Sequence, residues 1–335
     1  MRRRSCASLR NLREAKVMAY TGRIGDRVSR KPKFSERFLA VVKYELLWNI
    51  RKKKFLGVLI AAFAFSTLSL ILPIILSYIF ETPLEANPNF VIGRGGISSG
   101  FTLFLFALVS VMNSISGEFE SGTVIPLMTK PVSRSIIFFG KVFAAFLTIS
   151  AAYVLLYVYI AIGGTLIYGP QNNLHLIPIC ILGDLLSTFV WVSIVLALGS
   201  LSKNTILTAI SAVIVFISIS ISAPIVSVFS EGAWILNYVP GNGMSGYVKG
   251  IGQGMLPGSS VSTGTDSIAG NLVRYILNPS ENVTYFKVEV GAGIKELYSE
   301  PLFMVLARSI FVALAYIAAL TFIAWYAFKK AQVLD

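Results

Sequence analysis

The chain has 335 residues, 55% hydrophobic and only 13% charged, and its mean hydropathy is +0.73; soluble domains carry about 25% charged residues. That composition leaves too little polar surface for a soluble globule and points to several membrane spans. The net charge of +13 does not mark a nucleic-acid binder, because residues 1–54 hold 17 basic and 4 acidic side chains while residues 55–335 hold 12 of each. A basic block directly before an apolar run is the flank expected on the cytoplasmic side of a membrane span. Two separated cysteines, Cys6 and Cys180, and one histidine, His175, give neither a disulfide framework nor a closed metal site.

Residues 1–34 read as a basic cytoplasmic tail, expected to be disordered. No apolar core follows Met1-Arg2-Arg3-Arg4 before Phe55, so a secretory or twin-arginine signal is not indicated, and Met18 is a second candidate start. Residues 35–54 read as an amphipathic helix. Ser35 is placed to cap it and Glu36 to meet the positive end of its dipole. Phe38, Leu39, Val42, Leu46 and Ile50 share one side, interrupted by Asn49. Trp48 followed by Arg51, Lys52, Lys53 and Lys54 has the character of an interfacial anchor, so this helix is expected to lie along the cytoplasmic surface of the bilayer.

Residues 55–225 divide into five apolar runs long enough to span: 55–80, in which Pro73 is expected to make a kink, then 97–115, 136–167, 176–201 and 205–225. Residues 226–302 are rich in Gly and Ser and read as an extracellular region, with strand-type residues from Val283 to Val290. Residues 303–335 hold a sixth span and a short tail ending the run with Lys329 and Lys330. The expected fold is therefore an all-α polytopic membrane protein with six spans. The basic leader, Lys130, Arg134, Lys141, Lys203, Lys329 and Lys330 fall on one side, which makes that side cytoplasmic and puts both termini inside. Asn282-Val283-Thr284 is then a glycosylation sequon on the outer face, with Asn282 as the acceptor.

The segment 116–135 is the one charged, punctuated stretch inside the apolar region. Glu118 and Glu120 do nothing for topology, which is set by Lys and Arg. Gly122 is a natural helix stop, Pro126 and Pro131 prevent a long helix after it, and Ser133 is placed to cap the next span, with Arg134 and Lys141 following. No phosphate-binding loop is present. Gly140-Lys141 is followed by Val142, and the upstream glycine that such a loop needs is Ser135. Gly241 to Gly246 matches a glycine-rich pattern but follows Pro240, with no strand–helix unit around it.

The pattern Glu118-x-x-x-Gly122-Thr123, then Leu127-Met128-x-Lys130-Pro131-Val132-Ser133-Arg134, with Lys141 opening an apolar run, resembles the signature of the ABC-2 type permeases. The resemblance extends to the helix before the first span, the six spans and the basic tail. It implies a transport subunit, not an enzyme, that pairs as a permease homodimer with separate ABC ATPase subunits. ATP and Mg would be held by the partner, with no cofactor in this chain. By the same resemblance, Glu118, Glu120, Gly122, Thr123, Pro131 and Arg134 belong to an ATPase-coupling loop, and the chain works in the plasma membrane as an exporter. A region of about 75 residues between spans five and six departs from the short re-entrant helices usual in that family.

Three ionisable residues in or near spans stand out: Glu118, where the second span leaves the membrane, and two that lie deeper. Asp184 is about eight residues into the fourth and Arg308 about six into the sixth, roughly 9–12 Å deep. They are expected to pair, either as a gate or as a contact that fixes helix register. A membrane-embedded enzyme would need a cluster of catalytic side chains, which the sequence lacks. An ion-coupled carrier would need related halves with interrupted helices, and no internal repeat is found.

Overall fold

The computed structural model describes residues 33–51, 53–81, 83, 86–93, 100–122, 133–229, 237–239, 267–289 and 293–330. Six helical segments among them are long and apolar enough to cross a membrane: Phe55–Ile79, Gly100–Glu120, Arg134–Tyr168, Leu174–Ser202, Thr205–Ser222 and Leu302–Lys330. In chain order the helices are α1 (Phe34–Arg51), α2 (Lys53–Ile79), the single turn α3 (Phe90–Gly93), α4 (Gly100–Val111), α5 (Ser116–Glu120), α6 (Arg134–Tyr168), α7 (Ile177–Ser202), α8 (Thr205–Phe229), α9 (Ala269–Leu277) and α10 (Leu302–Lys330). Between α9 and α10 stands an antiparallel hairpin, β1 (Asn282–Glu289) with β2 (Gly293–Pro301), with a register shift at Tyr285/Phe286.

The bundle has two distinct ends. At the proximal end α1, α5, the start of α6 and the last turn of α10 meet. At the distal end stand α3, the 168–177 connection, α9 and the hairpin. Helix α7 is the central post: Val190, Trp191, Val192 and Val195 are buried. Phe104 of α4, Trp191 of α7 and Phe216 of α8 form one aromatic cluster, Phe104 stacking on Phe216 at 4.5 Å and meeting Trp191 edge-on at 5.4 Å. Helices α2 and α8 lie at the periphery, with Leu56, Ile60, Phe65, Ile206, Ile210 and Ile214 exposed to the surroundings. In a membrane protein such faces are solvated by lipid, so their exposure is no defect.

Ser133 caps α6, its Oγ accepting from Ile136 N at 3.3 Å. Helix α2 continues through Pro73 as one helix, and Tyr168 Oη donates to the carbonyl of Leu70 at 2.7 Å one turn before it. Two features depart from the sequence reading. The second span is broken at residues 112–115 by a tight turn, Ser114 N donating to Val111 O at 2.9 Å, which separates α4 from the short α5. The region after α8 contributes the strongly amphipathic α9 and a second strand, β2, neither of which the sequence reading contained.

Among the glycines that permit close approach, two seat elements at the opposite ends of the bundle. A Cβ on Gly140 of α6 would stand 2.7 Å from Val41 Cγ1, so α1 lies directly against α6 there. A Cβ on Gly183 of α7 would stand 2.6 Å from the backbone Cα of Ala269, so α9 is inserted against α7. Backbone cannot yield as a side-chain tip does. Gly183→Ala is therefore expected to lower the thermal midpoint of the purified protein by several degrees. Gly57→Ala, with nothing within 4 Å of the added carbon, should leave it unchanged or raise it, because Ala favours a helix by about 1 kcal/mol over Gly.

Candidate functional site

The proximal end is organised by a five-residue helix. Helix α5 begins at Ser116 and stops at Ser121, whose N–H donates to Gly117 O at 3.0 Å; Gly122 follows at φ +67°. That left-handed conformation favours glycine, which is why the helix can end so abruptly. Its last three side chains each reach a different part of the molecule.

Glu118 reaches α6. Lys141 lies on α6 one residue beyond Gly140, where α1 comes closest, and its ammonium donates to Glu118 Oε1 at 2.7 Å and to Glu45 Oε1 of α1 at 2.5 Å. The Lys141, Glu45 and Glu118 side chains are 3%, 7% and 20% exposed. A buried ammonium needs charged partners to offset its lost hydration. Here two carboxylates flank one cation, so α1, α5 and α6 are joined at a single point. Glu45 lies on the same face of α1 as Val42 and Asn49, all three buried. Leu39 and Ile50, on the apolar side of the sequence reading, are exposed to the surroundings. The acidic residue at helical spacing from Val42 and Asn49 was the available signal for this face.

Glu120 reaches α8. Its Oε2 accepts from Thr205 N at 3.1 Å, at the first residue of that helix, where a carboxylate also meets the positive end of the dipole. Phe119 reaches α10 and the α7–α8 turn. Its ring is 6.0 Å from Phe328 in an edge-on contact, and Lys203 Nζ lies 5.9 Å from its centroid. Phe328 also meets Phe138 of α6 at 6.0 Å. Arg134, assigned to the coupling loop, donates from Nη1 to Lys329 O at 2.8 Å, and Trp325 Nε1 donates to Ser135 Oγ at 3.0 Å. The start of α6 and the end of α10 are thus fastened together.

The other expected site residues fall as follows. Thr123, Pro131 and Lys52 lie outside the described residues, as does the side chain of Lys54. Trp48, Arg51 and Lys53 are exposed at the α1–α2 junction. Asn282 is exposed at the first position of β1.

The pairing of Asp184 with Arg308 requires correction. The ion pairs among the described residues join Lys141 to Glu45 and Glu118, Arg274 to Glu281, and Arg308 to Glu300; Asp184 with Arg308 is not among them. Arg308 makes a two-pronged contact with Glu300 at the end of β2, Nη2 to Oε1 at 2.7 Å and Nη1 to Oε2 at 3.2 Å. Asp184 is fully buried and is met by hydroxyls. Tyr157 Oη donates to its Oδ2 at 2.8 Å, and Ser267 Oγ donates to Oδ1. Ser267 also accepts from Ala269 N, and Ile268 N donates to Ser187 Oγ at 2.9 Å. Asp184 therefore holds the start of α9 against α7, beside Gly183. Membrane depth and charge sign suggested an ion pair, but nearby hydroxyls and a hairpin carboxylate satisfied each charge separately.

Residues 41–220, more than half of the chain, match the family model described as ABC-2 family transporter protein. The chain belongs to the ABC-2 transporter family. The match runs from the middle of α1 through most of α8, so it includes Glu45, α5, Lys141 and Glu120's partner Thr205. A comparison with curated proteins found no match. With six membrane-capable helices and this membership, the chain is a multi-pass membrane protein of the transport type.

Within this ABC-2 protein the Lys141 contact makes a stability prediction. Lys141→Met leaves two buried carboxylates facing each other, and breaking a buried pair this way costs about 3–5 kcal/mol. The variant is expected to lose most of its thermal stability in detergent. Adding Glu45→Leu leaves only Glu118, the most exposed of the three, and should recover a large part of the loss. Equal midpoints for the single and double variants would show that the charge contact is not what joins α1 to α6.

Proposed function

We propose that this chain is the permease subunit of an ATP-driven exporter in the plasma membrane, acting as a homodimer with two copies of a separate ABC ATPase. The proximal end then faces the cytoplasm and α5 is the coupling helix. Lys and Arg at that end support this orientation: Arg134, Lys141, Lys203, Lys329 and Lys330 all lie there, and in sequence the basic leader runs directly into α1. Helix α1, with Trp48, Arg51 and Lys53 on exposed positions, lies along the cytoplasmic interface, and Asn282 stands outside. ATP and Mg belong to the partner, since the sequence has no phosphate-binding loop of its own.

One observation carries the reading: α5, only five residues long, touches α6 through Glu118, α8 through Glu120, and α10 through Phe119, while Glu45 brings α1 to the same lysine. A force applied to α5 is delivered to three spans and to α1 at once. The expected response is a rigid-body tilt of packed helices, since packed helix interfaces rearrange between discrete states instead of deforming smoothly.

The test is recovery of the partner. Tagged protein, co-expressed with the ABC ATPases of its own genome, should capture one of them in equal stoichiometry. Ser121→Trp places a bulky side chain on the exposed end of α5, and should reduce capture at least about tenfold, the loss expected when one central contact of an interface is blocked, without shifting the permease's own thermal midpoint. Absence of any ATPase with the wild type, or full capture by the variant, would contradict the proposal.

A further inference from the structure

Between α6, α7 and α10, in the half of the bundle nearer the proximal end, runs a groove of about 380 Å³ lined by Phe139, Val142, Phe189, Ile317, Phe322 and Trp325. It opens outward, since Phe139 and Phe322 on its two lips are 46% and 61% exposed. Along α10 it runs from Ile317 to Trp325, roughly 12 Å at helical rise. It is nearly free of polar lining: the hydroxyl of Ser193, one of its two polar residues, is engaged with the carbonyl of Val190 at 2.7 Å.

The groove ends at cations. Trp325, its proximal wall, has Lys329 Nζ 5.0 Å from its ring centroid, and Lys330 Nζ stands 4.7 Å from the Tyr326 centroid. Both lysines are exposed. The end of α10 that carries them is fastened to α6, because Arg134 donates to the carbonyl of Lys329 and Trp325 donates to Ser135. An apolar slot that ends, one helical turn further on, in two exposed ammonium groups at the membrane surface matches one chemistry: acyl chain in the slot, anionic head at the lysines.

We propose that this groove is a binding site for an anionic phospholipid, held with an acyl chain along Ile317 to Trp325 and its phosphate at Lys329 and Lys330. The groove lies between α6, α7 and α10, and α5 meets α10 at Phe328, which also touches Phe138 of α6, so lipid bound in the groove stiffens the span packing beside α5. The inference rests on the membrane location of the chain and not on its ATPase partner.

The experiment uses the full chain in detergent, delipidated and then titrated with dioleoyl phosphatidylglycerol, dioleoyl phosphatidylcholine or inorganic phosphate, with bound lipid read by native mass spectrometry and stability by thermal midpoint. Phosphatidylglycerol is expected to bind and raise the midpoint, phosphatidylcholine to bind roughly tenfold more weakly, and Lys329→Gln with Lys330→Gln to abolish that preference. Ala318→Phe, which fills the slot from its exposed side, should remove the bound lipid while keeping the delipidated midpoint. Equal binding of the two lipids by the wild type, an equal effect of inorganic phosphate, or unchanged lipid binding in Ala318→Phe would overturn the proposal. So would efficient disulfide formation between copies carrying Phe322→Cys in a Cys6→Ser background, because a second copy would then occupy the groove. Loss of lipid selectivity with ATPase capture intact would fault this site alone.

Discussion

A single buried ammonium sets the arrangement of the proximal end. Lys141 lies on a span, among apolar neighbours, and is kept there by carboxylates from two elements that are distant in sequence. Both elements have further contacts, α1 through Phe38 against Phe143 and Val41 against Gly140, α5 through Phe119 and Glu120, but Lys141 is the one point that ties them to each other. Helix α5 is five residues long, too short to be stable by its own hydrogen bonds. Helix α1 turns several large apolar side chains, among them Leu39, Trp48 and Ile50, away from the bundle. Glu45 and Glu118 settle both elements on α6, and Gly140 gives α1 the clearance to approach.

The same lysine explains why the hub is more than a turn between spans. Because Glu118 is engaged with α6, the neighbouring Phe119 and Glu120 are presented in fixed directions, one to Phe328 and the other to the first amide of α8. At the opposite end a buried carboxylate has an equivalent role. Asp184, through Ser267, and Gly183, through its lack of a side chain, seat α9 against α7. A buried charge beside a close-approach glycine thus recurs at the two ends, Lys141 with Gly140 on α6 and Asp184 with Gly183 on α7.

Much of this was legible in the sequence, and what was not has physical reasons. The six spans follow from run length and apolar composition, which the bilayer thickness fixes. The stop at Gly122 and the cap at Ser133 follow from local backbone chemistry. The partners of the charges did not follow, because depth in the membrane says that a charge needs compensation but not which neighbour provides it. Glu300 and Ser267 lie in the region after α8, where composition gave no register. The central place of α7 was equally hidden: its apolar runs look like those of α2 and α8, and only packing separates a helix surrounded by protein from one surrounded by lipid. The protein-facing side of α1 was hidden as well, since Glu45 and Asn49 lie on its polar side and only packing shows that they, with Val42, face α6.

The central claim is that α1, α5 and the start of α6 move as one body because Lys141 joins them. The most direct measurement is the distance between spin labels at Leu47 of α1 and Ser121 after α5, in the proposed complex with an ABC ATPase, with and without a non-hydrolysable ATP analogue. The account predicts one narrow distance in both states, while a label at Ser121 paired with one on the peripheral face of α2 shifts between them. A Leu47–Ser121 distance that changes with nucleotide in the wild type would contradict it.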